Sequence, residues 1–342
     1  MPSLASADSY LLADLQSYSG LPAPVASRRL HAELKVATQT WFEKYRSNTR
    51  SADAESRALR ALNPAVFVTS TYPGAGATQL RFCSDFIAYF FMLDDIAEER
   101  DLRDNVQIAD IVLNALNHPT TDKSTARLAI MSRDLMRRFA RTGTETVQRR
   151  FITAFGYYFQ GLEEQAQLRV QGRIPTLDEY IRIRRDTTGC KLCWVIVEWA
   201  HNIDLPEEVF SHPIIFGLGQ ATNDFVAWSN DLYSYSAERA KGHDHNMISV
   251  LMHHDRAMNL AAATEFVGEM CKEAIDRFNR LRAELPSWGE DVDSHVARYV
   301  QGLSNWIVGI VHWSFQTERY FGKAVGTVRA TKRVQLMPIR SR

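Results

Sequence analysis

Residues 78–99 read TQLRFCSDFIAYFFMLDDIAEE. Phe82, Phe86, Tyr89, Phe90 and Leu93 recur every three or four positions, which lays them along one face of an α-helix. The stretch contains neither Gly nor Pro and ends on four carboxylates, Asp94, Asp95, Glu98 and Glu99. Helical periodicity extends on both sides. It marks 28–45, with Leu30, Leu34, Val36, Trp41 and Phe42, then 214–239, 256–284 and 290–321. Thr176 and Glu179 form a T-x-x-E capping box just after Pro175, opening a helix that runs towards residue 200. Gly (17) and Pro (11) are scarce and strand-like alternation is nearly absent, so the expected fold class is all-α. No repeat, low-complexity stretch or linker divides the chain. The expectation is one domain over 1–342, with a leading segment of about 1–25 and a basic, irregular tail at 323–342.

The chain has 342 residues, with 40 Lys+Arg against 40 Asp+Glu. A net charge of zero argues against nucleic acid as a partner. With 45% hydrophobic and 23% charged residues, the chain can bury a large core and is not disordered. The four cysteines, Cys83, Cys190, Cys193 and Cys271, are too few for a disulfide scaffold, and the lone CxxC lacks the second pair of a zinc site. No signal peptide and no apolar run of about 18 residues is seen. A reduced, cytoplasmic protein without integral membrane association is the expectation.

Two polar patterns stand out from this apolar background. Asp94 and Glu98 are four apart on a helix and share a face, where their repulsion calls for a cation. Arg100 and Arg103 are available, but a hard divalent ion such as Mg²⁺ suits carboxylate oxygens better. The alternative is a solvated acidic helix end. Further on, Asn230, Ser234 and Glu238 recur every four residues and stack as a column of oxygen ligands. The alternative there is ordinary polar surface. Asn223-Asp224 repeats the Asn-Asp pair seven residues earlier without the Ser and Glu, and reads either as support behind the metal-motif residues or as purely structural. Gly189 interrupts a helical pattern at a cost of about 1 kcal/mol relative to Ala, by close packing or by a functional break. His243, His245, His253 and His254 cluster without a matched acidic partner and read as surface or capping residues. Six Lys or Arg between 323 and 342 leave two readings of the tail, an acidic membrane surface or a cap on a cavity mouth.

Asp94-Asp95-x-x-Glu98 resembles the DDxxD/E motif of class I terpene synthases, and Asn230-Asp231-x-x-Ser234-x-x-x-Glu238 resembles their NDxxSxxxE motif. Arg319-Tyr320 resembles the C-terminal Arg-Tyr segment of the fungal-type sesquiterpene cyclases. The similarity covers about residues 60 to 325. It implies a helical bundle around a deep apolar cavity, at whose mouth three Mg²⁺ ions (or Mn²⁺ in their place) and basic residues hold an isoprenoid diphosphate. Farnesyl diphosphate would ionise, release diphosphate and cyclise as a carbocation to a hydrocarbon or alcohol. By this resemblance Asp94, Asp95, Glu98, Asn230, Ser234 and Glu238 are metal ligands, and Arg319 and Tyr320 donate to diphosphate. Arg185 is the diphosphate sensor, Thr188 the linker and Gly189 the carbonyl effector. Where relatives have Lys or Arg before the final Glu this chain has Ala237, so Lys241, one turn on, is taken as the substitute. Phe67, Phe91, Trp306 and Trp313 are expected to line the cavity. The rivals are a C20 cyclase, a chain-elongating prenyl transferase, disfavoured by the NDxxSxxxE motif, and a non-catalytic isoprenoid-binding module. A homodimer is possible.

Overall fold

The computed structural model describes residues 8–19, 28–46, 52–98 and 100–339. A short strand, β1 (Ser9–Leu11), and α1 (Leu15–Ser19) precede α2 (Arg28–Lys44), α3 (Ala52–Leu62), α4 (Pro64–Thr71) and α5 (Ala77–Glu98). Next come α6 (Leu102–Asn117), α7 (Arg127–Phe139), α8 (Glu145–Val170), α9 (Leu177–Thr187), α10 (Cys190–Ala200) and the single turn α11 (Glu207–Phe210). The chain continues with α12 (Pro213–Lys241), α13 (Met247–His254), α14 (Leu260–Ala283), α15 (Glu290–Ser314), a 3₁₀ turn at Gly322–Ala324, α16 (Val325–Thr331) and β2 (Arg333–Gln335).

Local chemistry decides where these helices start and stop. Thr176 Oγ1 accepts from Glu179 N while Glu179 Oε2 accepts from Thr176 N, so the capping box at α9 is complete. Pro213 opens α12, and Gly242 closes it with a left-handed φ of 76°. Where the sequence pattern ran from 256 to 284, α14 begins only at Leu260, because Asn259 caps it by accepting from Ala262 N. The expected helix over 290–321 stops at Ser314. Thr317 Oγ1 and Glu318 N then reach back to backbone carbonyls of α3, at Leu62 and Ala61, which turns the chain and leaves Arg319 and Tyr320 on a folded segment beyond the helix.

Packing outweighs the caps. A cap contributes about 1 kcal/mol, whereas one large apolar side chain removed from water contributes roughly 1.5–3 kcal/mol. One contiguous core runs through the bundle, with Phe82, Phe86, Phe139, Phe151 and Trp199 at its centre. α12 packs along α14, and α15 along α4. At the second contact Gly309 is required, since a Cβ there would lie 2.4 Å from Ser70 O.

Where an irregular segment was expected at 323–342, the described part of the tail carries α16 and β2. β2 pairs antiparallel with β1, Tyr10 opposite Val334, and both side chains are buried. Ser236 Oγ of α12 donates to Gln335 O and accepts from Met337 N, fastening the tail beside the cavity described below. The part of the leading segment at 1–7 and 20–25, Glu99, and residues 340–342 lie outside the described residues.

Candidate active site

α4, α5, α9, α10, α12 and α15 surround a cavity of about 1210 Å³. Phe67, Phe91, Trp306, Val226 and Ile310 form much of its apolar wall. Trp313 stands behind that wall. Its ring packs edge-on against Phe67 at 4.7 Å and its Nε1 donates to Leu62 O, so it supports the lining from the core and is fully buried there. Phe90, which the sequence reading passed over as a wall residue, does face the cavity. Met337 of the tail also lines it.

The last turn and a half of α5 brings Asp94, Asp95 and Glu98 to this cavity. Asp94 Oδ1 accepts a hydrogen bond from the hydroxyl of Tyr158, on α8, at 3.0 Å. Burial, and then repulsion from Glu98 and Asp95, pushes the Asp94 carboxyl upward from its ordinary pKa. Glu98 is raised as well, by burial first and then by Glu238 and Asp95. Glu238 belongs to α12, so the two acidic motifs feel each other across the opening. Asp95 is held by Arg319, Nη2 to Oδ1 at 3.0 Å, and the Arg319 guanidinium lies 4.5 Å over the ring of Phe91.

α12 delivers Asn230, Ser234 and Glu238 to the same cavity. Asn230 Oδ1 accepts from Arg184 Nη2 at 2.7 Å, and its Nδ2 donates to the Tyr320 hydroxyl at 2.8 Å. Glu238 Oε2 accepts from Asn246 Nδ2 at 2.9 Å, and burial raises its carboxyl. Asp231 turns the other way, into the core, where Arg184 Nε, the Tyr180 hydroxyl and Met247 N all donate to it. Lys241 lines the cavity one turn beyond Glu238, as does His245, whose buried Nε2 has no partner among the described residues. Burial and Arg184 hold the His245 imidazole neutral, its pKa lowered to about 3. The histidines do not form one group, for His254 bonds Pro175 O instead.

The break between α9 and α10 corrects the sequence-based placement by one residue. Arg185 is not at the cavity. Its guanidinium makes a two-point pair with Asp224, Nε to Oδ1 at 2.7 Å and Nη2 to Oδ2 at 2.8 Å. Arg184, Thr187 and Thr188 line the cavity instead. Gly189 has a left-handed φ of 71°, and its carbonyl is occupied by Leu192 N and Cys193 N as the first turn of α10. Among the described residues no donor reaches the carbonyls of Thr187 or Thr188, and the buried Thr187 hydroxyl also lacks a partner. A Cβ on Gly189 would sit 2.2 Å from the Phe90 ring, so both conformation and space demand glycine. A sequence signal for Arg184 existed. Tyr180, Arg184 and Thr187 follow the i, i+4, i+7 face that turns inward, whereas Arg185 lies about 100° round the helix. Tyr158 and Asn246 carried no such signal.

The donor set fits a hard divalent cation. Carboxylate, amide and hydroxyl oxygens are grouped around one cavity, and burial raises the carboxyls at Asp94, Glu98 and Glu238. Among the described residues no three acidic, His or Cys side chains form a closed cage. Mg²⁺ ordinarily binds through one or two carboxylates plus substrate phosphates, so such a cage is not needed.

This arrangement defines a terpene synthase. The model of terpene synthase family 2, C-terminal metal binding, matches residues 85–277, a span that includes every candidate metal ligand, and the chain belongs to this family. Among its relatives, the sesquiterpene synthase Agr1 of Cyclocybe aegerita is 47% identical, over 91% of this chain and 88% of that one. Sesquiterpene synthase 1 of Postia placenta is 42% identical over 99% and 98%. The crystal structure of germacradien-4-ol synthase from Streptomyces citricolor, 23% identical, superposes with a TM-score of 0.73 over 87% of this chain and 97% of that one, which establishes the same all-α fold. The chain is a terpene cyclase, binds divalent metal as its family does, and has no helix among the described residues long and apolar enough to cross a membrane.

Proposed function

We propose that this chain is a Mg²⁺-dependent sesquiterpene cyclase that ionises farnesyl diphosphate and cyclises the resulting cation. The observation that carries the reading is the meeting of α5 and α12 carboxylates at the opening of one apolar cavity, with Arg184, Arg319, Tyr320 and Lys241 beside them. Two relatives named sesquiterpene synthases that match nearly the whole chain support the C15 substrate. The unbroken core supports reading 1–342 as one domain.

Asp94, Asp95 and Glu98 would hold metal from α5, and Asn230, Ser234 and Glu238 from α12. Bound there, Mg²⁺, three ions by family resemblance, would supply positive charge to offset that developing on the leaving diphosphate. Arg319 and Arg184 now grip the oxygens of Asp95 and Asn230. Their guanidiniums are thereby held beside the oxygens proposed for the metals, where they would serve as charge-assisted donors to diphosphate. Tyr320, whose hydroxyl accepts from Asn230 Nδ2 and keeps its own hydrogen to donate, joins them. In this reading Arg184 takes the sensing role assigned from sequence to Arg185, and the open carbonyls of Thr187 and Thr188 take the role assigned to Gly189. Carbonyl oxygens facing the ionising carbon stabilise positive charge as it forms. Phe67, Phe90, Phe91 and Trp306 exclude water and offer ring faces to the migrating cation.

Incubation with Mg²⁺ and, separately, C10, C15 and C20 isoprenoid diphosphates, followed by mass spectrometry of volatile products, tests the reading. Cyclic products from the C15 substrate are expected. Products from the C20 substrate alone would make it a diterpene cyclase, and none from any substrate would favour a binding module.

A further inference from the structure

Asn223 and Asp224 remain unused by the chemistry above, yet they touch the α9–α10 break at more points than any metal-motif residue does. Asn223 is buried, and it bridges the break from α12. Its Nδ2 donates to Arg185 O at 2.7 Å, and its Oδ1 accepts from Thr188 Oγ1 at 2.7 Å. Thr188 Oγ1 in turn accepts from Cys190 N at 3.4 Å, joining the end of α9 to the start of α10. Asp224 then fixes the Arg185 side chain by two hydrogen bonds and is itself held by Arg277 of α14.

We propose that Asn223, backed by Asp224, is a positioning clamp: it sets the direction in which the break presents the Thr187 and Thr188 carbonyls to the reacting cation. The inference rests on the reading of those carbonyls given under Proposed function. The geometry favours it over simple helix packing. A broken helix leaves carbonyls with no partner, and the protein satisfies one of them, Arg185 O, with Asn223 Nδ2 at 2.7 Å and Thr188 Oγ1 at 3.5 Å, while the carbonyls of Thr187 and Thr188, both residues of the cavity lining, accept from no donor among the described residues. The same α12 that supplies Asn230, Ser234 and Glu238 supplies Asn223 two turns earlier, so one rigid rod sets the spacing between metal ligands and carbonyls. On the other side of the break Gly189 abuts Phe90, whose ring lies 4.9 Å from that of Tyr158, the partner of Asp94. The break is therefore wedged between both metal-bearing helices.

A displaced carbonyl would leave substrate binding largely unchanged and would alter what happens after ionisation. Asn223→Ala is expected to lower kcat about tenfold, the equivalent of one or two lost hydrogen bonds, with less than a threefold change in KM, and to shift products towards acyclic and monocyclic species. Thr188→Val removes one of the same bonds from the opposite side and should shift products in the same direction. Thr188→Ser keeps the hydroxyl and should restore the wild-type ratio. The double variant Asn223→Ala with Thr188→Val should be little worse than Asn223→Ala alone. Wild-type product ratios in Asn223→Ala and Thr188→Val, whatever their melting temperatures, would overturn the clamp. If Asn223→Ala does not fold, the Thr188 pair decides alone. Asp94→Ala is run in parallel: turnover surviving there sinks the reading of the metal site, whereas a dead Asp94→Ala beside an unaltered Asn223→Ala sinks only the clamp.

Discussion

Arg184 Nη2 lies 2.7 Å from Asn230 Oδ1 while Arg185, its neighbour, pairs with Asp224 further back on the same helix α12. Two adjacent arginines thus have separable duties. Truncating a charge that contacts substrate costs about 2–5 kcal/mol, so Arg184→Gln should reduce kcat/KM by roughly thirtyfold or more. Arg185→Gln leaves its backbone carbonyl on Asn223 and should cost less than about tenfold in activity while lowering the melting temperature. Steady-state kinetics on both variants check the assignment, and the reverse order of effects would return the sensing role to Arg185.

The Tyr158 hydroxyl donates to Asp94 and so favours the charged carboxylate. Loss of one such bond costs about 1–2 kcal/mol. Tyr158→Phe should therefore need several times more Mg²⁺ for half-maximal rate, with its apolar packing on Phe90 retained. A Mg²⁺ titration at saturating substrate measures this, and an unchanged midpoint would remove Tyr158 from any role at the metal site.

Gly189→Ala brings together a left-handed backbone and a Cβ 2.2 Å from the Phe90 ring. The expected loss is about 3 kcal/mol or more in stability. Combining it with Phe90→Ala relieves the contact but not the backbone strain, so chemical denaturation should show partial recovery, and full recovery would mean the φ angle is unimportant.

Glu198 gives the clearest pH signature away from the site. It is fully buried against Arg150, Oε1 to Nη1 at 2.8 Å, with its Oε2 unpartnered among the described residues. Burial raises its carboxyl from 4.5 to about 7, despite Arg150 pulling the other way. Between those values the native state holds a proton that the unfolded chain has released, so this group's contribution to stability is full below about 4.5, falls as pH rises and levels off above about 7. Denaturation midpoints of wild type and Glu198→Gln across that window should diverge with the variant flatter, and parallel curves would show that Glu198 is charged throughout.

Chelation with EDTA should stop turnover without altering far-ultraviolet circular dichroism, because the core is continuous without any metal bridge. Adding Mg²⁺ together with inorganic diphosphate should raise the melting temperature more than either alone, as ligands sharing one site stabilise the folded state together. Unfolding on chelation would recast the metal as structural.

Much of this was legible from the chain itself. Helical periodicity located α5, α12 and α15, and the four-residue spacing of Asn230, Ser234 and Glu238 placed three oxygens on one face, because both are properties of a single helix. What failed was long-range. Arg184 and Arg185 look alike in sequence, and which one turns inward depends on how α9 rotates against Asp231 and Asp224 of α12. Gly189 was assigned the effector carbonyl by resemblance, and in the fold the next turn of helix uses that carbonyl. Trp313 is set behind the wall by the edge-on stack with Phe67, a contact between residues far apart in the chain. The ordered tail was missed because three-residue strands have no periodicity to read.

That tail has a kinetic meaning. Ser9–Leu11 and Arg333–Gln335 meet across 324 positions, as the Arg333 to Ser9 hydrogen bond shows. Closing so long a circuit costs chain entropy that a three-rung ladder cannot offset until the bundle between them already holds its ends near one another. The ribbon is thus a late event of folding, and the rim carrying Met337 is assembled only once the cavity behind it exists. Amide exchange at Tyr10 and Val334 becomes a gauge of rim opening, read independently of the slow exchange of the core.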